Sequence, residues 1–256
     1  MQALAVSGMI RRMGRLHWLA LFLAVLLSWV AVWLMSAPAE MRSLSAIYGA
    51  EFWASLCAVG ADGTGFVRLW AMWSLMAGAM MLPTALPAFA TFDEIPKQQG
   101  DRFGFLGLVA GYMAIWIGGS AVFAAVQIGL AQSGLADPFG ASLSRWFSAA
   151  ILLGAGLYQF SALKDACLAK CRMPLTFFMQ HWAEGPLRMG LRLGAVCLGC
   201  CWALMALGFV GGVQSIAFMG VATVLMIFEK LPDFGRYLTR PLGIALIGAG
   251  LIWPFI

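Results

Sequence analysis

Long apolar stretches are the feature of this sequence that most constrains its fold. At about 1.5 Å per residue in a helix, each is long enough to cross most or all of a hydrocarbon layer of about 30 Å. No Asp, Glu, Lys or Arg lies near the middle of any of them. The stretches cover residues 16–35, 66–90, 103–131, 145–163, 190–210, 214–229 and 240–256. They predict an all-α, polytopic transmembrane helical bundle with about seven spans.

The composition supports the same fold class. Of the 256 residues, 62% are hydrophobic and 11% are charged, compared with roughly 45–50% and about 25% in soluble domains. We therefore expect residues 1–256 to form a single integral membrane domain. Residues 16–35 are expected to stay as the first span, because 20 apolar residues exceed the roughly 7–15 of a signal-peptide core.

The basic residues predict the orientation of the chain. Thirteen of the sixteen lie in cytoplasmic segments if the N-terminus is inside, which leaves only Arg42, Arg68 and Arg145 on the outer side. Cytoplasmic loops retain Lys and Arg, so this asymmetry favours a cytoplasmic N-terminus and a periplasmic C-terminus. We expect a multi-pass protein of the bacterial inner membrane, with the lipid bilayer as its surroundings. The net charge of +5 then reflects topology, and no nucleic-acid partner is expected.

Several function classes find no support in the sequence. Because the charged residues lie at span ends or in loops, charge relays and proton-coupled carriers are not predicted. The two histidines, His17 and His181, are too few for bis-histidine haem pairs or histidine-rich di-iron sites. No nucleotide-binding loop or nucleophile elbow stands in a credible context. We expect no enzymatic activity.

Clustered cysteines are the first candidates for a functional site. Cys167 and Cys171 have the i,i+4 spacing that places two side chains on one helical face. In the fifth stretch, Cys197, Cys200 and Cys201 share a face by the same spacing. Clustering at helical spacing is what metal ligation requires, although cysteine is also among the residues most often buried for packing alone.

Methionines in the second stretch are the second candidate. Met72, Met76 and Met80 recur every four residues, and Met81 follows. They form one thioether ridge that either packs in the core or binds a soft metal. Two prolines close behind it are expected to release backbone carbonyls, as in the broken helices that line sites in membrane proteins.

The donor set favours a soft metal. Thiolates and thioethers without imidazole or carboxylate neighbours prefer Cu(I) over Mg, Ca or Mn, and zinc at the cysteines is the lesser alternative. Copper is therefore the expected cofactor, with zinc possible. The predicted metal ligands are Cys167, Cys171, Cys197, Cys200, Cys201, Met76, Met80 and Met81.

Glycine pairs four residues apart predict close helix packing rather than function. Such pairs allow two helix backbones to approach each other within a membrane. They occur as Gly107 with Gly111, Gly190 with Gly194, and Gly208 with Gly212.

Several separate blocks of the sequence, matching in order between about residues 66 and 250, carry a family resemblance. The chain resembles a bacterial domain-of-unknown-function family labelled "predicted metal-binding integral membrane protein", and the resemblance implies a membrane protein that binds metal. The blocks are Trp73-x2-Met76-x2-Ala79-Met80-Met81-x-Pro83, Tyr158-Gln159-x-Ser161-x-Leu163-Lys164-x2-Cys167-Leu168-x2-Cys171-Arg172-x-Pro174, Gly199-Cys200-Cys201-Trp202-x-Leu204-Met205, and Glu229-Lys230.

Three functions stay open at this point. The first is a protein that binds Cu(I) through these clusters and acts in copper delivery, cuproenzyme assembly or transport, with a membrane protein or metallochaperone as partner. The second is an accessory or scaffold subunit of a larger membrane complex without chemistry of its own. The third is a redox enzyme using Cys167 and Cys171, which is less favoured because their three-residue spacer departs from the usual two. Convergence of the sulfur clusters would favour the first.

Overall fold

The computed structural model describes residues 16–36, 63–95, 104–232 and 235–256, and every regular element in these ranges is helical. Cys57, which belongs to the predicted external segment, lies outside the described residues. The α-helices are α1 (Leu16–Ser36), α2 (Gly63–Glu94), α3 (Gly104–Gln132), α4 (Arg145–Tyr158), α5 (Ala162–Arg172), α6 (Pro174–His181), α7 (Pro186–Ala206), α8 (Gly208–Gly211), α9 (Ile216–Lys230) and α10 (Gly235–Ile252). Short 3-10 turns follow α6, at Trp182–Glu184, and α10, at Trp253–Phe255.

Five helices of the described chain are long and apolar enough to cross a membrane. They are Leu16–Ser36, Gly65–Glu94, Gly104–Gln132, Pro186–Gly211 and Tyr237–Phe255. The predicted fourth span is instead divided between α4 and α5, which meet at a bend of 60° and raise the number to six if the pair forms one broken span. The predicted sixth span corresponds to α9, whose 15 residues cover only about 22 Å. The all-helical class is confirmed, whereas the count of seven spans and the orientation stay predictions.

Helix α2 occupies the centre of the bundle. It packs against α1, α3 and α9, and most of its apolar side chains are buried. Pro83 and Pro87 both lie inside it, and the helix continues through both positions. At the far end of the helix, Asp93 accepts a hydrogen bond from the Trp18 indole at 3.0 Å and thereby ties α1 to α2.

Helices α3 and α7 form the closest seam in the bundle. A Cβ atom at Gly190 would collide with the carbonyl oxygen of Leu108, and one at Gly111 would collide with that of Leu187. The two glycines therefore let the backbones touch, as the Gly107/Gly111 and Gly190/Gly194 pairs predicted. This seam brings the middle of α3 against the cysteine-bearing half of α7.

The third glycine pair has a different role. Gly212 has a φ of 88° and lies in the turn between α8 and α9. A positive φ is the conformation that glycine adopts without steric cost. The prediction of helix packing at Gly208 and Gly212 is therefore wrong, because the chain turns there and reverses direction into α9.

Candidate metal centre

Three thiols meet on the buried face of α7. This helix begins at Pro186, whose fixed φ suits a first helical position, and it places Cys197, Cys200 and Cys201 on one side. Their Sγ atoms all lie within 4.8 Å of one another, and those of Cys200 and Cys201 are 3.3 Å apart. The three residues are at most 2% exposed. We call this group the thiol triad.

Cys197 has two polar neighbours from other helices. The hydroxyl of Tyr112 on α3 and the Nζ of Lys230 at the end of α9 each lie 3.0 Å from its Sγ. Lys230 also donates a 2.6 Å hydrogen bond to the hydroxyl of Thr84 on α2. Four helices thus position the polar side of the triad, and Lys230 brings a positive charge to it.

A buried ion pair lies beside this lysine. The Nζ of Lys164 on α5 contacts both carboxylate oxygens of Glu229, at 2.9 and 3.1 Å, and the two side chains are 0% and 1% exposed. Lys230, the next residue, is 8% exposed. These three residues lie at the ends of the predicted apolar stretches, where the sequence placed them, but the structure buries their side chains. Lys164 lies in the first turn of α5, and Glu229 and Lys230 are the last two residues of α9, so these two helix termini bring charge into the core.

The two cysteines of α5 both lie against α7. Cys167 packs on Gly199, where a Cβ would come within 2.8 Å of its sulfur. Cys171 interacts with Cys200 and lines a small cavity together with Cys197 and Lys230. Both are partly exposed free thiols. Cys171 therefore lies at the edge of the triad, whereas Cys167 contacts α7 at Gly199.

The predicted methionine ligands divide between two places. Met80 and Met81 are buried on α2, and the carbonyl oxygen of Met81 accepts a 2.9 Å hydrogen bond from the Tyr112 hydroxyl. The Tyr112 hydroxyl therefore contacts both the Met81 carbonyl and the Cys197 Sγ. Met76, one turn before Met80, instead lines a separate cavity together with Met72. The structure thus brings the backbone of the methionine ridge next to the thiol triad at Met81.

The triad has the donor chemistry of a soft-metal site. Three sulfur atoms in an enclosed, low-dielectric space suit Cu(I), which prefers thiolate and thioether ligands. Zinc usually takes four ligands in a closed site, and Cys171 is the neighbouring thiol for a fourth position. A Cu(I) ion held by two of these thiolates would carry one net negative charge, and the ammonium group of Lys230, 3.0 Å from the Cys197 Sγ, would balance it. The charge of a buried lysine otherwise requires a compensating partner.

A family comparison decides what class of protein carries this site. The family model described as "PpoB2: Copper chaperone" matches residues 70–253, well over half of the chain. The chain belongs to the PpoB2 copper chaperone family. This confirms the membership in a metal-binding family that the sequence blocks indicated. The comparisons with curated proteins and with solved structures gave no match. The region matched by the PpoB2 model includes the triad, Tyr112, Thr84 and Lys230, but not α1.

Three neighbours of the triad were missed by sequence reasoning. Tyr112 and Thr84 carry no spacing pattern that links them to a cysteine. Lys230 had a signal, since the Glu229-Lys230 pair ends an apolar stretch shorter than a full span. A helix too short to carry its terminal charges to the membrane surface leaves them in the core, where they need partners.

Proposed function

We propose that this PpoB2 family member is an integral protein of the bacterial inner membrane that holds Cu(I) at the thiol triad and delivers it to another protein. The observation that carries this proposal is the convergence of three buried thiols within 4.8 Å of one another. The match to a family described as a copper chaperone supports copper as the metal. The acceptor is a copper-dependent membrane protein during its assembly, or a metallochaperone.

Membrane integration is supported by the outer surface of the helices. Large apolar side chains on α1, including Leu19, Leu23 and Leu26, are more than half exposed. An aqueous surface would make these positions costly, whereas lipid would cover them. We retain the predicted topology of seven spans with a cytoplasmic N-terminus, in which α4 with α5 and the short α9 are the irregular spans.

Delivery fits the site better than catalysis or pumping. The triad is enclosed, and the cavity beside it holds only about 20 Å³, which leaves little room for an organic substrate. No nucleotide-binding motif is present in the sequence to power a pump. The partly exposed Cys171 lies next to the triad and offers copper an exit through thiol exchange. We therefore propose a copper carrier without enzymatic activity.

Copper binding by purified protein tests the site. The full chain in detergent is loaded with Cu(I) under reducing, anaerobic conditions, and bound metal is measured by mass spectrometry in competition with a Cu(I) chelator. The Cys197→Ser/Cys200→Ser/Cys201→Ser variant should lose tight binding, weakening it by more than about 100-fold, since even loss of a supporting residue costs 10- to 100-fold. The matched control is Cys167→Ser, which should retain tight binding because Cys167 contacts Gly199 rather than the triad. Equal copper in wild type and triple variant, or preferential loading with zinc, would contradict the proposal.

A deletion strain separates delivery from the alternatives. Loss of a delivery protein should leave total cell copper unchanged while copper-dependent membrane enzymes accumulate without metal. Loss of a transporter should change total cell copper. Loss of a scaffold subunit should cause neither of these effects directly. Any defect that its deletion does cause should be absent from a strain that carries the triple serine variant. Complementation by wild type and failure of complementation by the triple variant are the expected results.

A further inference from the structure

A second sulfur-lined cavity lies in the bundle, away from the thiol triad. Four methionines from three helices line it: Met35 of α1, Met72 and Met76 of α2, and Met219 of α9. All four are at most 5% exposed. The cavity has about 10 Å³ of space, roughly the room of one water molecule and enough for one metal ion. We call it the methionine cavity.

Its lining differs from ordinary methionine packing in two respects. Methionine is flexible and normally fills irregular gaps, yet here four of them surround a space that stays open. The one polar residue among the described lining residues is Gln214, whose buried Nε2 lacks a hydrogen-bond partner and, as an N–H donor, supplies no ligand to a cation. The described residues around the cavity carry no charge. Neutral thioethers in such a setting bind a soft monovalent cation without any thiol having to lose its proton.

The cavity is connected to the triad through α2. Met76 lines the cavity, Met80 follows one turn later, and the carbonyl of Met81 shares the Tyr112 hydroxyl with Cys197. From Met72 to Met81 the helix rises by about 14 Å. Buried methionines therefore recur along α2 over this rise, at Met72, Met76, Met80 and Met81.

We propose that Met35, Met72, Met76 and Met219 form a second Cu(I) site, built from thioethers alone and distinct from the thiol triad. The proposal rests on the proposed copper-handling function. Met35 lies outside the region matched by the family model, so α1 completes a site that the matched region holds only in part. The ligand is Cu(I) itself, with Ag(I) as its chemical equivalent.

The test begins with the Cys197→Ser/Cys200→Ser/Cys201→Ser variant, titrated with Cu(I) in detergent. We expect it to retain one weaker equivalent of Cu(I), with an affinity that changes less than about twofold between pH 7.5 and 5.5, because thioethers bind no proton. The thiol triad of the wild type should weaken over the same range, since protons compete for thiolates. Absence of any retained copper in the serine variant, while wild type binds one equivalent, overturns the second site and leaves the triad intact. Absence of copper in both overturns the proposed function itself.

Substitutions in the cavity then locate the retained copper. Adding Met35→Leu with Met219→Leu should weaken the retained equivalent at least about tenfold, in line with the loss of metal ligands. Met189→Leu on α7 is the matched control, because Met189 is equally buried but does not line the cavity. Folding is checked by introducing the same leucines into the wild-type cysteine background, where the triad should still bind copper. Retention of the weaker equivalent in the doubly substituted protein overturns the assignment.

Discussion

The thiol triad and the methionine cavity are both built from buried sulfur-containing side chains of the same bundle, but their electrostatic surroundings differ. Near the triad, Lys164, Glu229 and Lys230 are all buried, and Lys230 contacts Cys197 directly. Around the methionine cavity, the described lining is uncharged. The ligand chemistry that we propose for the two sites accounts for the difference. Thiolates bring negative charge that needs a buried partner, whereas thioethers bring none.

The two sites should differ in how metal affinity and folding stability respond to substitution. At the triad, the groups that we propose to influence metal affinity also carry buried charge, so substitutions there should change both folding stability and metal binding, in the same or in opposite directions. At the methionine cavity, substitution by another apolar residue of similar volume should leave folding almost unchanged. The two regions therefore predict different responses to comparable substitutions.

The largest expected effect is on folding in the charged region. Lys164→Met leaves Glu229 buried without its partner, and we expect it to lower the free energy of unfolding by about 3–5 kcal/mol. Met72→Leu in the uncharged region should cost less than about 1.5 kcal/mol. Denaturant titration in detergent, followed by circular dichroism, measures both.

The double variant Lys164→Met/Glu229→Met provides the control. It removes both charges together, so most of the lost stability should return. Equal destabilisation by Lys164→Met and Met72→Leu would contradict the contrast between the two regions.

The next effect concerns the seam that positions the triad. Gly190→Ala places a methyl group against the Leu108 carbonyl, and we expect a loss of about 1–3 kcal/mol, the usual cost of overpacking. Moving α7 away from α3 should also weaken Cu(I) binding, because Tyr112 then withdraws from Cys197. Gly118→Ala, on the same α3 but with open space around its Cβ, should be neutral or stabilising. Equal stability and equal Cu(I) binding in the two alanine variants would contradict the role of the α3–α7 seam in positioning the triad.

The smallest expected change in folding stability is at Lys230, where copper binding and folding should respond differently. Lys230→Met removes the charge beside Cys197 and should weaken Cu(I) binding by about 10- to 100-fold, as the loss of a supporting residue usually does. The metal-free protein should keep or gain stability, because a buried charge is replaced by an apolar group. Lys170→Met on the exposed face of α5 is the matched control and should change neither quantity. Chelator competition and denaturant titration together give the two values, and a parallel loss of both would assign Lys230 a purely structural role.

The positions of the long helices were predictable, and the position of the charges was not. Stretches 16–35 and 103–131 correspond closely to α1 and α3, because hydropathy alone specifies a span of that length. The bend after Gln159 escaped prediction, although Ser161 caps the start of α5 by accepting a hydrogen bond from the Lys164 backbone. A local capping signal inside an apolar stretch is easily outweighed by the hydropathy around it.

Only the part of the candidate site that lies on a single helix could be predicted from the sequence. Cys197, Cys200 and Cys201 lie on one helix, so their spacing alone places them together. Tyr112, Thr84 and Lys230 come from three other helices, separated from Cys197 by up to 113 residues in the chain. Their convergence depends on the α3–α7 seam and on the short length of α9, neither of which periodicity specifies. The same holds for Met35 and Met219 at the methionine cavity.

Copper K-edge X-ray absorption on protein loaded with one equivalent of Cu(I) tests the central claim most directly. The account predicts an all-sulfur first shell of two or three ligands in wild type, and a loss of that thiolate shell in the Cys197→Ser/Cys200→Ser/Cys201→Ser variant. A first shell dominated by nitrogen or oxygen, or a sulfur shell unchanged by the three serines, would contradict the assignment of the triad as the copper site.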